Sequence, residues 1–227
     1  MAIMKQRLAA LAIICCIWGC TTPKHYQFLV TDRLKKNGIP AIKSTESIQL
    51  SAAALPGQDT LFTVKSVKSS FVPAIIVWTW NNTMDCKLKP EIAAGYFSES
   101  FFRYADSFNL PSLLYGRKLE LQLESVPYQY TYAQKGYSIF LLIAAVTKED
   151  NMIVPRNEAL GVKYILWNGA IKEKEGSIAV ANTSKGLNNN MTSAKKLAWW
   201  YLDIYRNNLN KMSRQFARQL AGELNKK

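Results

Sequence analysis

From Lys118 to Glu124 the chain alternates without a slip, with Leu119, Leu121 and Leu123 on one side and Glu120, Gln122 and Glu124 on the other. A period of two with one apolar and one charged face marks a strand that is half in a core and half in water. Such a strand cannot stand alone: it needs neighbours for its backbone and an apolar layer over its leucines. Tyr128, Tyr130 and Tyr132 extend the same period. Gln134-Lys135-Gly136 then reads as a turn, and Tyr137 to Thr147 as the returning arm of a hairpin. The apolar run from Ile139 to Val146 reads as the buried part of that arm.

Other strands are expected at Tyr26–Val30, Ser47–Ser51, Leu61–Val67 and Pro73–Trp80, where the β-branched and aromatic Ala74–Trp78 reads as buried. Val162–Trp167 is a further strand, followed by an Asn168-Gly169 turn and a return near Ser177–Ala181. The apolar cover comes from two helices. One starts at Pro90 and Glu91 and carries Phe97, Phe101 and Phe108, with Pro111 beyond its end. The other is capped by Ser193 and carries a stripe from Leu197 to Leu224. Together these elements predict an α+β fold, a mainly antiparallel sheet with two helices packed on one face, as a single domain over 26–227.

The N-terminus speaks to location. Lys5 and Arg7 precede an apolar stretch from Leu8 to Trp18, and Gly19 precedes Cys20. A stretch of about 11 residues is too short to span a bilayer and suits a signal-peptide core. Ile17-Trp18-Gly19-Cys20 stands where a lipobox belongs, because the small Gly19 lets a peptidase fit the backbone before Cys20. Cys15 and Cys16 follow Ile14 and Cys15 and lack that small neighbour. The bulky Trp18 keeps an ordinary secretory signal or an N-terminal membrane anchor open as alternatives. The lipobox reading makes 1–19 the signal peptide, Cys20 the acylated residue and 20–25 a tether. Three acyl chains, at about 0.8 kcal/mol per buried methylene, hold a protein stably on a membrane. Thr21, where retained lipoproteins carry Asp, favours a periplasm-facing position on the outer membrane.

Removing Lys5 and Arg7 lowers the formal charge from +13 to +11. Such a balance suits an anionic membrane face, an acidic protein partner or nucleic acid, and equally a basic background composition. Export and dispersed basic residues, never more than two in a row, count against nucleic acid. Cys86 is the one thiol left after Cys20, so no internal disulfide forms, and its place after an apolar strand predicts a buried, inert side chain. His25 is the only histidine and falls on the tether, away from any pocket that a Ser–His–Asp or Cys–His arrangement needs. Zinc-ligand clusters, a P-loop, Gly-x-Gly-x-x-Gly and Gly-x-Ser-x-Gly are all missing from the sequence. Glu120 and Glu124 share the wet face of one strand. No catalytic residue, metal or cofactor is expected, and the chain does not read as an enzyme.

What remains is surface. Trp199, Trp200 and Tyr201 are consecutive on the last helix and cannot all face one core. Arg214 and Arg218 lie one turn apart further along it, among Lys195, Lys196, Arg206 and Lys211. Trp199, Trp200, Arg214 and Arg218 are therefore the candidate lipid or partner surface. Core filling by the aromatics and plain solvation of the charges are the alternatives.

The lipobox followed by His25-Tyr26-Gln27-Phe28-Leu29, the strand–helix–hairpin–strand order and a final helix ending Met212-Ser213-Arg214-Gln215-Phe216-Ala217-Arg218-Gln219-Leu220 resemble a family: the auxiliary lipoproteins of ABC-type lipid transport systems partnered with MCE proteins. The layout is similar also to the LPS-assembly lipoprotein that sits inside an outer-membrane barrel. The resemblance implies a non-catalytic, lipid-anchored accessory subunit of a transport or outer-membrane maintenance system, with a transporter subunit or barrel as partner. A structural lipoprotein of a secretion or pilus machine would carry the same anchor, and a cryptic envelope enzyme is the third possibility.

Overall fold

The computed structural model describes residues 21–141, 144–189 and 193–225. Its organising element is a long antiparallel ribbon. Strand β4 (Lys118–Ser125) runs on into β5 (Gln129–Phe140), and β6 (Ala145–Pro155) runs on into β7 (Leu160–Asn168). β4 pairs with β7 and β5 with β6, from Lys118↔Trp167 at one end to Phe140↔Ala145 at the other. Pro127 and Pro155 sit where the ribbon passes from one sheet to the next, and neither has an N–H to give to a ladder. The Glu158 carboxylate fills the gap, accepting the backbone N–H groups of Tyr128 (3.0 Å) and Gln129 (3.3 Å).

Each half of the ribbon nucleates its own sheet. The first has the order β1 (Ile48–Ser51), β4, β7, β8 (Ile171–Val180), with β1 parallel to β4 and the other pairs antiparallel. The second is antiparallel throughout, in the order β2 (Phe62–Pro73), β3 (Val77–Leu88), β5, β6, β9 (Leu187–Asn189). The leucines of β4 are buried and its acidic residues face water, as the alternation dictates.

Four helices are present among the described residues: α1 (Pro23–Asn37), α2 (Pro90–Ser107), the single turn α3 (Leu110–Leu113) and α4 (Ala194–Asn225). Tyr26 of α1 stacks on Tyr132 of the second sheet, ring centroids 4.4 Å apart. α2 meets α4 through Phe97 and Phe101 against Phe216. α4 ties both sheets together. Its Tyr205 hydroxyl donates to the Pro127 carbonyl at the crossing point (2.6 Å), and Lys174 of β8 donates to the Glu223 carbonyl near its C-terminus (2.6 Å). Cys86 lies in the core, and burial pushes its thiol up to about 12.

Three expectations are corrected. The single sheet with two helices on one face becomes two sheets and four helices, because the prolines divide a ribbon whose apolar period runs straight through them. The strand expected at Tyr26–Val30 is the first part of α1, and positions 22–25, read as tether, form its cap and first turn. The Thr22 hydroxyl accepts the His25 N–H, Pro23 begins the helix, Gly38 ends it at φ 70°, and Tyr26, Leu29, Val30 and Leu34 fall on one buried face. Lastly, Gln134-Lys135-Gly136 is no turn but the middle of β5.

Gly136 has a different purpose. It pairs with Trp80 across the β3–β5 ladder, and a Cβ there would collide with the indole and with the Lys148 carbonyl oxygen. The glycine leaves room for an aromatic ring to lie over the strand. Gly176, opposite Tyr164 in the first sheet, does the same. Gly136→Ala is therefore expected to cost about 1–3 kcal/mol through overpacking, read as a lower urea midpoint at unchanged m-value; an unchanged midpoint contradicts this account.

Candidate functional site

The second sheet reaches past its helices. At the level where the Ser69 hydroxyl donates to Asn82 (2.8 Å) and the Thr21 N–H donates to Gln134 (3.1 Å), the N-terminal end of the described chain lies against the sheet. From there β2 and β3 continue to the Pro73↔Trp78 pair, and β5 and β6 to Phe140↔Ala145. The projection is roughly 15 Å at about 3.3 Å per residue.

Its backbone is well paired. Ala74 N–H donates to the Val77 carbonyl (3.0 Å), Phe140 N–H to Ile76 (2.8 Å) and Leu141 N–H to Ala144 (2.7 Å). An aromatic clamp stiffens the first turn: the Trp78 indole N–H donates to the Ala74 carbonyl (3.0 Å), with Phe71 edge-on and Phe140 at 4.5 Å.

Its side chains, by contrast, are bare. Ile75 is 100 % exposed, and Val72, Ile76, Leu141 and Val146 are each more than half exposed. Neighbouring residues on a strand point to opposite faces, so Phe71 and Val72, both exposed, make the two faces apolar alike. The expectation that Ala74–Trp78 and Ile139–Val146 are buried strands is thus overturned for the described residues. These are turns and strand ends that no described helix or sheet covers. At the root of the projection Trp80, Tyr137, Lys135 and Lys148 line one shallow crevice with Asp150.

The residues singled out from sequence do not form one surface. Trp199 is a joint between α1 and α4: its indole N–H donates to the Leu29 carbonyl (3.3 Å), and Lys195 (4.6 Å), Arg33 (5.0 Å) and Lys36 (5.8 Å) stand over its ring. Trp200, beside it, is 48 % exposed. Arg214 reaches over the Tyr104 ring (5.9 Å), and Arg218 is exposed. At about 1.5 Å per helical residue, the arginines begin roughly 20 Å beyond the tryptophans. Cys20 and Gly19 lie outside the described residues. Phe71, Val72, Ile75, Ile76, Leu141 and Val146 were not anticipated as a surface, although one signal was available: Ser69 to Met84 carries no charge, and its turn is Pro-Ala-Ile-Ile where soluble hairpins use Asn, Asp or Gly.

Several acidic groups are engaged in ordinary ion pairs or hydrogen bonds. Glu120 accepts the Trp167 indole N–H (3.2 Å), and Glu99 sits between Arg103 and Arg206. No group of three or more potential metal ligands occurs among the described residues, and no helix there is long and apolar enough to cross a membrane. No family model matches the chain, and neither a curated protein nor a solved structure matches it.

Two predictions follow from these side chains. Trp199→Leu loses its hydrogen bond and its cation contacts and is expected to cost about 1–3 kcal/mol in thermal unfolding, while Trp200→Ala stays within about 0.5 kcal/mol. Equal losses would contradict the joint role. Hydrogen bonds from Lys163 and Lys172 hold Glu175 down at about 2, from an ordinary 4.5. Its stabilising effect is thus present above pH 4.5 and lost as pH falls towards 2. The stability gap between wild type and Glu175→Gln should close over that interval, and a gap independent of pH would refute the pairing.

Proposed function

We propose that the chain is a non-catalytic, lipid-anchored envelope lipoprotein that serves as an accessory subunit of a transport or outer-membrane maintenance system. The observation that supports this reading is the apolar end of the second sheet together with the place of Thr21, the first described residue. Thr21 lines a crevice with Ser69, Ser70 and Phe71, at the root of that projection. Consecutive Cα atoms are about 3.8 Å apart, so an acylated Cys20 would stand beside it. Anchor and apolar surface then share one region of the molecule. The far end of the ribbon, where β7 turns into β8, and the cationic turns of α4 with Arg214 and Arg218 are left for a protein partner.

In-cell crosslinking of the full-length protein, followed by mass spectrometry of the captured envelope proteins, tests the role. An ABC permease, an MCE subunit or an outer-membrane barrel is expected, and secretion or pilus subunits would overturn the assignment. The anchor has its own check. Cys20→Ala should release the protein to the periplasm or leave it unprocessed; an unchanged acylated mass and membrane extraction profile would refute the lipobox.

A further inference from the structure

We propose that the projecting end of the second sheet dips into the bilayer leaflet that holds the acyl anchor, giving the protein a second membrane contact made of its own side chains. The inference rests on the reading of the chain as lipid-anchored and adds to it an insertion element.

Four observations point to lipid. First, the projection is uncharged over Ser69–Met84 and over 136–141 and 144–147, a composition that ordinary solvated hairpin ends do not have. Secondly, its apolar side chains stand out on both faces and at the turn, with Phe71 beside Val72 and Ile75 fully exposed. A protein groove would cover one face, whereas acyl chains surround a thin sheet end from every side. Thirdly, the order of residue types from tip to root is that of a membrane interface. Ile75, Ile76 and Leu141 lead, Trp80 and Tyr137 follow, and Lys135 and Lys148 stand beside those two rings. Amphipathic rings and long cationic stems favour the headgroup layer. Fourthly, Thr21, the first described residue, lies against the same root, so an acyl anchor at Cys20 would hold the tip towards its own leaflet.

The backbone limits the depth. The ladders and turns satisfy the inner amides, and Pro73 on edge strand β2 has no N–H to strand in hydrocarbon. Among the described residues no strand pairs the outer edge of β2, and such unpaired backbone groups cannot enter a dry bilayer core. Insertion is therefore shallow, about 5–10 Å into the headgroup and upper acyl region. The net positive charge of the chain adds attraction to anionic lipid.

The test uses full-length protein in vesicles of phosphatidylethanolamine and phosphatidylglycerol, with a trace of phosphatidylcholine carrying a diazirine in its acyl chain. After irradiation and proteolysis, lipid adducts are expected on peptides holding Ile75, Ile76 and Leu141. These should exceed adducts at Tyr115 and Ile171, which are equally bare at the other end of the ribbon, by about tenfold or more. The triple variant Ile75→Ser, Ile76→Ser, Leu141→Ser changes only exposed positions and should lower the tip adducts by a similar factor at an unchanged melting temperature. Vesicle-bound protein with adducts spread evenly, or with tip peptides that carry no lipid adduct, would overturn the proposal. The two readings fail separately. An acylated Cys20 without tip adducts sinks insertion alone, and tip adducts on protein that carries no acyl group sink the anchor alone.

Discussion

The rest of this structure depends on the crossing point of the ribbon, where the Glu158 carboxylate holds the Tyr128 and Gln129 amides between two prolines. Without it, residues 118–140 and 145–168 would form one uninterrupted hairpin and one sheet. With it, each half recruits different neighbours: β1 and β8 on one side, β2, β3 and β9 on the other. The Tyr205 hydroxyl on the Pro127 carbonyl fastens the long last helix to the same point, so that both sheets share one cover.

The bare end gives the molecule its polarity. Strands β2, β3, β5 and β6 are each longer than the layer of helix available to cover them, and the surplus emerges as an apolar projection. It is braced from inside the sheet, through the Trp78 clamp and the Trp80–Gly136 pairing. This uncharged, two-faced end lies beside Thr21, and the membrane contact proposed for it would be separate from the cationic turns of α4.

Parts of the fold were legible because they are local. The alternation at Lys118–Glu124, the Pro90 helix start, the Ser193 cap and the Asn168-Gly169 turn each encode their geometry within a few residues, and each stands where it was expected. The misreadings share a cause. Tyr26–Val30 has bulky residues that suit either period, and the Thr22-Pro23 cap and Leu34, which decide for helix, lie outside that window. Gly136 has the composition of a turn, but its reason lies across the ladder, at Trp80. The surface residues chosen from the last helix proved a joint (Trp199) and a separate basic stretch (Arg214 and Arg218), since adjacency along a helix says little about which neighbours arrive from elsewhere.

By itself the sequence determined the apolar face of β4, where two helices start and where one hairpin turns, because side-chain period, caps and turn chemistry act over a few residues. Only the tertiary structure decided whether an apolar face is covered. Leu121 and Ile75 look alike in the chain; the first lies inside because the ribbon's crossing point brings helices over it, and the second stands in the open because the strands run on past that cover. Covering is a long-range event, and around Ile75 the chain hints at it only through an uncharged stretch and an apolar turn.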